Sequence, residues 1–171
     1  PPPGWAMWGA EVYKDPANYT RDTTQPHGGQ GCFRIHHPAN SAGYIVSAPD
    51  KAIRAQVGQR YDVSFWARTD RPGPSQFQWT AYESINPYTD APSPGRYVFD
   101  VGQDWREFRF AIDEGWDFFA DRSRLLLLTF MATGDKAFAK TLWVDDVVVR
   151  AVPSPRQGRL VDESRLEYEP L

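Results

Sequence analysis

The chain has 171 residues, a length that suits one domain with a hydrophobic core. Its 19 basic and 22 acidic residues leave a net charge of −3 with no long run of either sign. This balance argues against a nucleic-acid or membrane-surface partner, since both require a basic face. No apolar run approaches about 18 residues, so the sequence predicts no transmembrane helix.

Turn signals rich in proline and glycine recur along the chain and separate short segments with strand character. An aromatic share of 15%, with 15 prolines and 13 glycines, is more typical of a sheet protein than of a helical bundle. In chain order, strands are predicted at 5–13, 31–36, 43–48, 60–68, 75–84, 96–100, 106–112, 124–132 and 141–150. This succession predicts an all-β sandwich, a jelly roll, over residues 1–152.

Residues 153–171 differ in character from the predicted sandwich. They carry prolines and charges and lack the periodicity of a core element, which favours a linker leading to a further domain. The alternation in "RLEYEP" also permits an additional edge strand, and both interpretations stay open. The opening "PPPGWAMW" lacks the basic start and apolar stretch of a signal peptide, so it does not indicate localisation.

The strand predicted at 60–68 has a large aromatic residue on its solvent face. With a period of two, Val63 and Phe65 face the core, whereas Trp66 and Arg68 face away from it. The alternative for Trp66 is that a loop or another domain covers this face, which would make the tryptophan part of a core.

The same alternation applied to two other strands places Gln78, Tyr82 and Thr129 outward. If these strands neighbour the strand of Trp66, one face of one sheet combines an aromatic platform, a fixed cation and neutral hydrogen-bonding groups. This set suits a sugar, because the ring packs on the aromatic plane and the hydroxyls bond to amide, guanidinium and hydroxyl groups.

Several segments resemble carbohydrate-binding modules of families 4, 9 and 22, which have a galactose-binding-like jelly-roll fold. They are "VGQRYDVSFWARTD", "GRYVFD", "DWREFRFAI", "TLWVDDVVV" and, for an early turn and strand, "HGGQGCFRI". The resemblance extends over roughly residues 4–151. It implies a non-catalytic, monomeric module that binds polysaccharide in a cleft on a concave sheet and is attached to a secreted glycoside hydrolase.

The resemblance also implies site residues. Trp66 would be a sugar platform, Arg96 a polar contact and Tyr88 an aromatic that closes over the sugar, while Thr129 occupies a ligand-contacting position on the penultimate strand. Trp116, in the loop "DEGWDFFAD", is predicted either as a second aromatic wall or as a hydrophobic plug at one end of the sandwich.

A structural calcium ion is a further implication of the resemblance. Asp145 on the last strand would bind it together with backbone oxygens of Gly28 and Gly31. Alternation agrees in part, because Asp145 shares a face with Trp143, Val147 and Val149 that is predicted to point into the core, where a carboxylate requires a cation or several donors. The acidic ligand that relatives supply from their first strand would lie before the first residue of this chain.

Catalytic patterns are not evident. No strand has the Glu-x-Asp-x-Glu alternation of jelly-roll glycosidases, and we expect no histidine in the sheet that carries Trp66. His36 and His37 are adjacent and should point to opposite faces, and Cys32 has no evident histidine partner.

The sequence therefore predicts a carbohydrate-binding module rather than an enzyme. The mildly acidic composition favours a neutral β-linked polysaccharide, of the xylan or β-glucan type, over an acidic polymer. The alternative is a structural jelly-roll domain that packs on a catalytic domain without binding glycan. A hydrolase or lyase with an unrecognised site is a third interpretation.

Overall fold

The computed structural model describes residues 5–9, 15–40, 43–47, 53–55, 59–72, 75–83, 95–112, 124–132 and 137–153. The described strands are β1 Trp5–Gly9, β2 Tyr19–Asp22, β3 Cys32–His37, β4 Gly43–Ser47, β5 Ile53–Ala55, β6 Gln59–Thr69, β7 Ser75–Glu83, β8 Gly95–Val101, β9 Arg106–Ile112, β10 Arg124–Ala132 and β11 Lys140–Pro153. A 3₁₀ helix, Pro16–Asn18, precedes β2. Within the described ranges, no helix has the length and apolar character that a membrane span requires.

The strands form two antiparallel sheets that pack face to face. The six-stranded sheet has the order β1-β4-β10-β7-β8, with β5 paired to β10, and the five-stranded sheet has the order β2-β3-β11-β6-β9. This arrangement confirms the predicted all-β jelly roll. The strands predicted from the sequence do not include β2 and β5, which are only 4 and 3 residues long. Most of the predicted linker, residues 154–171, lies outside the described residues.

Aromatic side chains from both sheets fill the space between them. Phe65 of the five-stranded sheet is fully buried, and its ring centroid lies 5.1 Å from Phe99 and 5.3 Å from Phe130 of the other sheet. Burial of each such ring stabilises the fold by about 1.5–3 kcal/mol relative to exposure. The alternation predicted for β6 is confirmed, since Val63 and Phe65 are buried and Trp66 is only partly so.

The expected adjacency of the strands that carry Trp66 and Gln78 is wrong. β6 pairs with β9 and β11, whereas β7 pairs with β8 and β10 of the other sheet. Alternation within a strand specifies which residues face the core. It does not specify the sheet to which the strand belongs, because strand pairing depends on contacts distant in sequence.

The positions of the histidines contradict the expectation that the sheet of Trp66 contains none. β3 carries His36 and His37 and belongs to the five-stranded sheet, so histidines do share a sheet with Trp66. The two side chains have different environments, as predicted for adjacent strand residues. His36 is partly buried beside the Thr141 hydroxyl, whereas His37 is buried and its ring lies 5.6 Å from Phe77 in the core.

A β-bulge interrupts β11 and changes the orientation predicted for Asp145. Asp145 pairs with Trp66 and Val148 pairs with Ser64, so β11 has an extra residue at this point. Val144 is buried and Asp145, like its partner Trp66, is only partly buried on the outer face. The predicted core-facing orientation of Asp145 is therefore wrong.

We expect the free energy of unfolding to fall as the pH drops below about 6.5. Burial, followed by the positive charges of Lys140 and His36, lowers the pKa of His37 from 6.5 to about 3. Between these values the unfolded chain binds a proton that the folded chain does not, and this residue contributes up to about 1.4 kcal/mol per pH unit. Urea unfolding of His37→Phe, which retains a ring that cannot titrate, should show a shallower decline between pH 6.5 and 4.5. An identical decline in both proteins would contradict this assignment.

Candidate functional site

The predicted binding residues do not lie on one face. Trp66 and Arg68 are on β6 of the five-stranded sheet. Positions on the six-stranded sheet hold four others: Gln78, Tyr82, Arg96 and Thr129. Tyr88 and Trp116 lie outside the described residues. The site must therefore be considered as two separate outer faces of the sandwich.

Strand register places the four predicted positions of the six-stranded sheet on one face of that sheet. Phe77, Phe99 and Phe130 are buried in the core. The four predicted positions on this sheet alternate with these phenylalanines along β7, β8 and β10, so they belong to the face turned away from the core. The three strands are adjacent, in the order β10-β7-β8. The sequence prediction thus identified part of one continuous outer face.

Two rows of paired residues cross this outer face. One row is Ala6, Val46, Thr129, Thr80 and Arg96, and the other is Trp8, Tyr44, Met131, Gln78 and Val98. From β1 to β8 each row crosses four strand spacings of about 4.8 Å, or roughly 19 Å. That width can accommodate several consecutive sugar rings.

Neither Trp8 nor Tyr44 is among the candidates predicted from the sequence. "WAMWG" has tryptophans at both parities, Trp5 and Trp8, so alternation alone cannot decide which of the two positions belongs to the outer rows. Pairing decides it, because Trp8 lies opposite Tyr44 and Met7 lies opposite Ile45, which in turn pairs with the buried Phe130.

The outer face of the five-stranded sheet carries a stack of aromatic rings and a cation. The His27 ring is parallel to Trp66, with centroids 3.7 Å apart and an interplanar angle of 14°. The Arg68 guanidinium lies 4.2 Å from the ring centre of Trp143 and 5.4 Å from that of Trp105. Cation–π contacts of this kind contribute about 0.5–1 kcal/mol each at exposed sites. Trp66 is therefore partly covered by a residue of its own chain, as the alternative interpretation allowed.

Asp145 fastens the loop at 23–31 to this face. Its Oδ2 accepts hydrogen bonds from the backbone amides of His27 and Gly28, at 3.0 and 3.1 Å. Its Oδ1 accepts one from the amide of Asp146, at 2.9 Å, and Asp146 Oδ2 lies 2.9 Å from His27 Nδ1. Both acids of the bulge thus hold the residue that stacks on Trp66.

Asp22 anchors the start of the same loop. It accepts hydrogen bonds from the Thr24 hydroxyl and amide, at 2.6 and 2.8 Å, and from Trp143 Nε1, at 2.7 Å. These bonds lower the pKa of Asp22 to about 2, with the Thr24 hydroxyl as the largest cause. The carboxylate therefore stays ionised, and Trp143 is fixed in place beneath Arg68.

Two of the predicted calcium ligands, Asp145 and Gly28, are in direct contact. The Gly28 amide N–H makes this contact, whereas the predicted calcium ligand is the Gly28 carbonyl oxygen, since calcium takes oxygen ligands. A Cβ atom at Gly31 would lie 2.7 Å from Arg21 Nε and 3.0 Å from the Asp22 carbonyl oxygen, so the chain packs closely around this glycine. Among the described residues, no group of three or more His, Cys, Asp or Glu side chains is arranged to hold a metal. Calcium stays an untested prediction.

Cys32, His36 and His37 are partly or fully buried nucleophile and base candidates on β3. Burial is the main factor that raises the pKa of Cys32 to about 11, so its thiol stays protonated. His36 contacts Thr141, and His37 is buried beside Phe77 and Lys140. Both histidines are therefore engaged in contacts with neighbouring strands of the sandwich.

Comparisons with known proteins support the fold. No protein-family model and no curated protein matches the chain. A CBM4 module matches with a TM-score of 0.59 and 16% identity over 88% of this chain and 96% of its own. A family 11 carbohydrate-binding module from Clostridium thermocellum, in complex with a β-1,3-1,4-mixed-linked tetrasaccharide, matches with a TM-score of 0.58 and 12% identity, covering 89% and 91%.

In a third matching structure, the carbohydrate-binding module is joined to a xylanase module. It is the CBM22-1–GH10 part of an endo-1,4-β-D-xylanase from Clostridium thermocellum, complexed with xylohexaose, with a TM-score of 0.56 and 16% identity over 85% of this chain and 26% of that one. At such identities the likeness establishes the fold. The chain has the jelly-roll fold of carbohydrate-binding modules, as its sequence resemblance predicted.

Asp145→Asn should lower the free energy of unfolding by about 1–3 kcal/mol, because a neutral amide cannot reproduce three charge-assisted bonds from backbone amides. Amide hydrogen exchange at His27 and Gly28 should accelerate as the loop loosens. Asp146→Asn, which changes the exposed partner of His27, is the matched control and should lower the free energy of unfolding by a smaller amount. Equal losses in the two variants would show that Asp145 is not the main anchor.

Proposed function

We propose that this chain is a non-catalytic carbohydrate-binding module that binds a neutral β-linked polysaccharide, of the xylan or β-glucan type, on the outer face of its six-stranded sheet. The observation that carries the proposal is the register of that sheet. It aligns Gln78, Arg96 and Thr129 on adjacent strands, in rows that also contain Trp8 and Tyr44.

The residue types in these rows are those that sugars require. Aromatic rings at Trp8 and Tyr44 offer surfaces for the C–H face of a pyranose ring. Gln78, Thr129 and Arg96 offer amide, hydroxyl and guanidinium groups that bond to ring hydroxyls. A face roughly 19 Å wide suits the interior of a polysaccharide chain better than its end.

The charges of the two rows favour a neutral ligand. Arg96 is the single cation among the ten positions of the rows, and none of these positions is acidic. A polymer rich in uronates would need several cations to offset the desolvation of its carboxylates. A neutral glycan needs only aromatic surface and hydrogen-bonding groups.

The parent protein is proposed to be an extracellular glycan-degrading enzyme to which this module is attached. Support comes from the matched xylanase, whose chain combines a CBM22 module of this fold with a GH10 module. The module itself is proposed to be monomeric. The competing proposal, a structural domain that binds no glycan, is favoured by the covered position of Trp66 beneath His27.

We predict that Trp8→Ala and Arg96→Ala each weaken binding of xylohexaose or a mixed-linked β-glucan tetrasaccharide by about 1–3 kcal/mol, the loss typical of a central anchor. Calorimetry would measure the affinity. The matched control is Arg34→Ala, because Arg34 pairs with Trp143 on the other sheet and should not affect this face. A folded wild-type domain that binds none of the tested glycans would favour the structural alternative.

Affinity should change little between 50 and 500 mM salt, because a neutral glycan makes no ion pairs for salt to screen. Affinity should also rise from disaccharide to hexasaccharide as more of the face is occupied. Titrations with xylan, mixed-linked β-glucan and polygalacturonate would test both expectations. Preference for polygalacturonate, with a steep loss of affinity in salt, would show that the ligand class is wrong even if the module binds glycans.

A further inference from the structure

A groove of about 530 Å³ opens on the outer face of the five-stranded sheet, on the opposite side of the sandwich from the proposed binding face. Three adjacent strands, β9, β6 and β11, supply its lining, which includes Asp62, Ser64, Trp66, Glu107, Arg109 and Arg150. Its volume is in the range of small-ligand pockets. The proposed function does not use this groove.

Trp66 lines the groove, and His27 holds its ring in place. The groove extends from Trp66 along β6 to Ser64 and Asp62. His27 stacks on the indole and also contacts Trp105, which belongs to the cluster around Arg68 further along the strand. A ring braced in this way loses little conformational freedom when a ligand contacts it.

The carboxylates that line the groove have polar partners, including His27 for Asp146. Glu107 accepts a hydrogen bond from Arg109 at 2.8 Å, and Asp62 pairs with Arg60 at 2.8 Å and lies opposite Arg150. An ionic ligand would have to displace these partners. A neutral ligand rich in hydroxyls can bond to the carboxylates as a donor and to the guanidinium groups as an acceptor.

Ser64 completes the arrangement at the floor of the groove. It pairs with Arg109 on β9 and with Val148 on β11, between the aromatic wall and the charged pairs. Val148 is 37% exposed and adds apolar surface beside the indole. Aromatic surface next to paired donors and acceptors is the combination that a sugar ring requires.

From this geometry we infer a second saccharide site, for one or two neutral sugar units, in the groove of the five-stranded sheet. The inference rests on the proposed function for its ligand class but not for its position. It gives Trp66 a role as a sugar platform without placing it on the same face as Gln78. Arg68 has a positioning role, because it packs on Trp105, which contacts His27.

Calorimetry and NMR with xylobiose and cellobiose test the inference. Wild type should bind two equivalents of at least one disaccharide, and a Gln78→Ala/Arg96→Ala variant should retain one, with shifts of the Trp66 indole signal. In that background Ser64→Trp, which fills the groove, should abolish the remaining equivalent. Val148→Trp fills the groove from the neighbouring strand, in case the first variant does not fold.

Arg109→Ala should weaken disaccharide binding in the groove about tenfold, as expected for a hydrogen bond to a charged group. Arg106→Ala, on the same strand but outside the groove, is the matched control.

The outcomes separate this inference from the proposed function. If wild type binds one equivalent of disaccharide and Gln78→Ala/Arg96→Ala abolishes that binding, the second site is overturned and the proposed face is upheld. Binding that survives this double variant unchanged and disappears with Ser64→Trp or Val148→Trp would uphold the groove and overturn the proposed face. Absence of binding by folded wild type would overturn both, and binding that persists in both groove variants would overturn the second site.

Discussion

The bulge in β11 is the constraint on which the outer face of the five-stranded sheet depends. Leu142 and Val144 point into the core, and uninterrupted alternation from them would also direct Asp146 and Arg150 inward. Burial of either charge without a partner would cost several kcal/mol. The extra residue restores the pattern, since Val149 packs against the core and Arg150 is exposed. Asp146 adopts a left-handed φ of 48° at this point.

The same irregularity explains why Trp66 has a defined environment. Because the bulge leaves Asp145 and Asp146 side by side on the outer face, both carboxylates can reach His27, one through its amide and the other through its ring. Gly28 lets the loop approach closely, since a Cβ there would lie 3.2 Å from Asp146 Oδ2. These hydrogen bonds therefore hold the loop where the His27 ring stacks on Trp66.

The sequence predicted the faces of strands better than their partners. Alternation correctly separated Phe65 from Trp66, because burial with a period of two is a local property of a strand. It could not reveal that β6 and β7 belong to different sheets, since pairing is decided by distant segments. The bulge was equally hidden, because "WVDDVVV" is compatible with regular alternation and only the pairing of Val148 with Ser64 reveals the extra residue.

Two binding faces on opposite sides of one sandwich would have different consequences for a polymer and for a short sugar. The aromatic core around Phe65 separates them, so binding on one face need not disturb the other, and their free energies should be close to additive. One extended polysaccharide cannot easily lie on both faces at once. A site for one or two sugars opposite a longer face would therefore engage a second chain, and the resulting avidity would arise from holding two neighbouring chains rather than from gripping one more tightly.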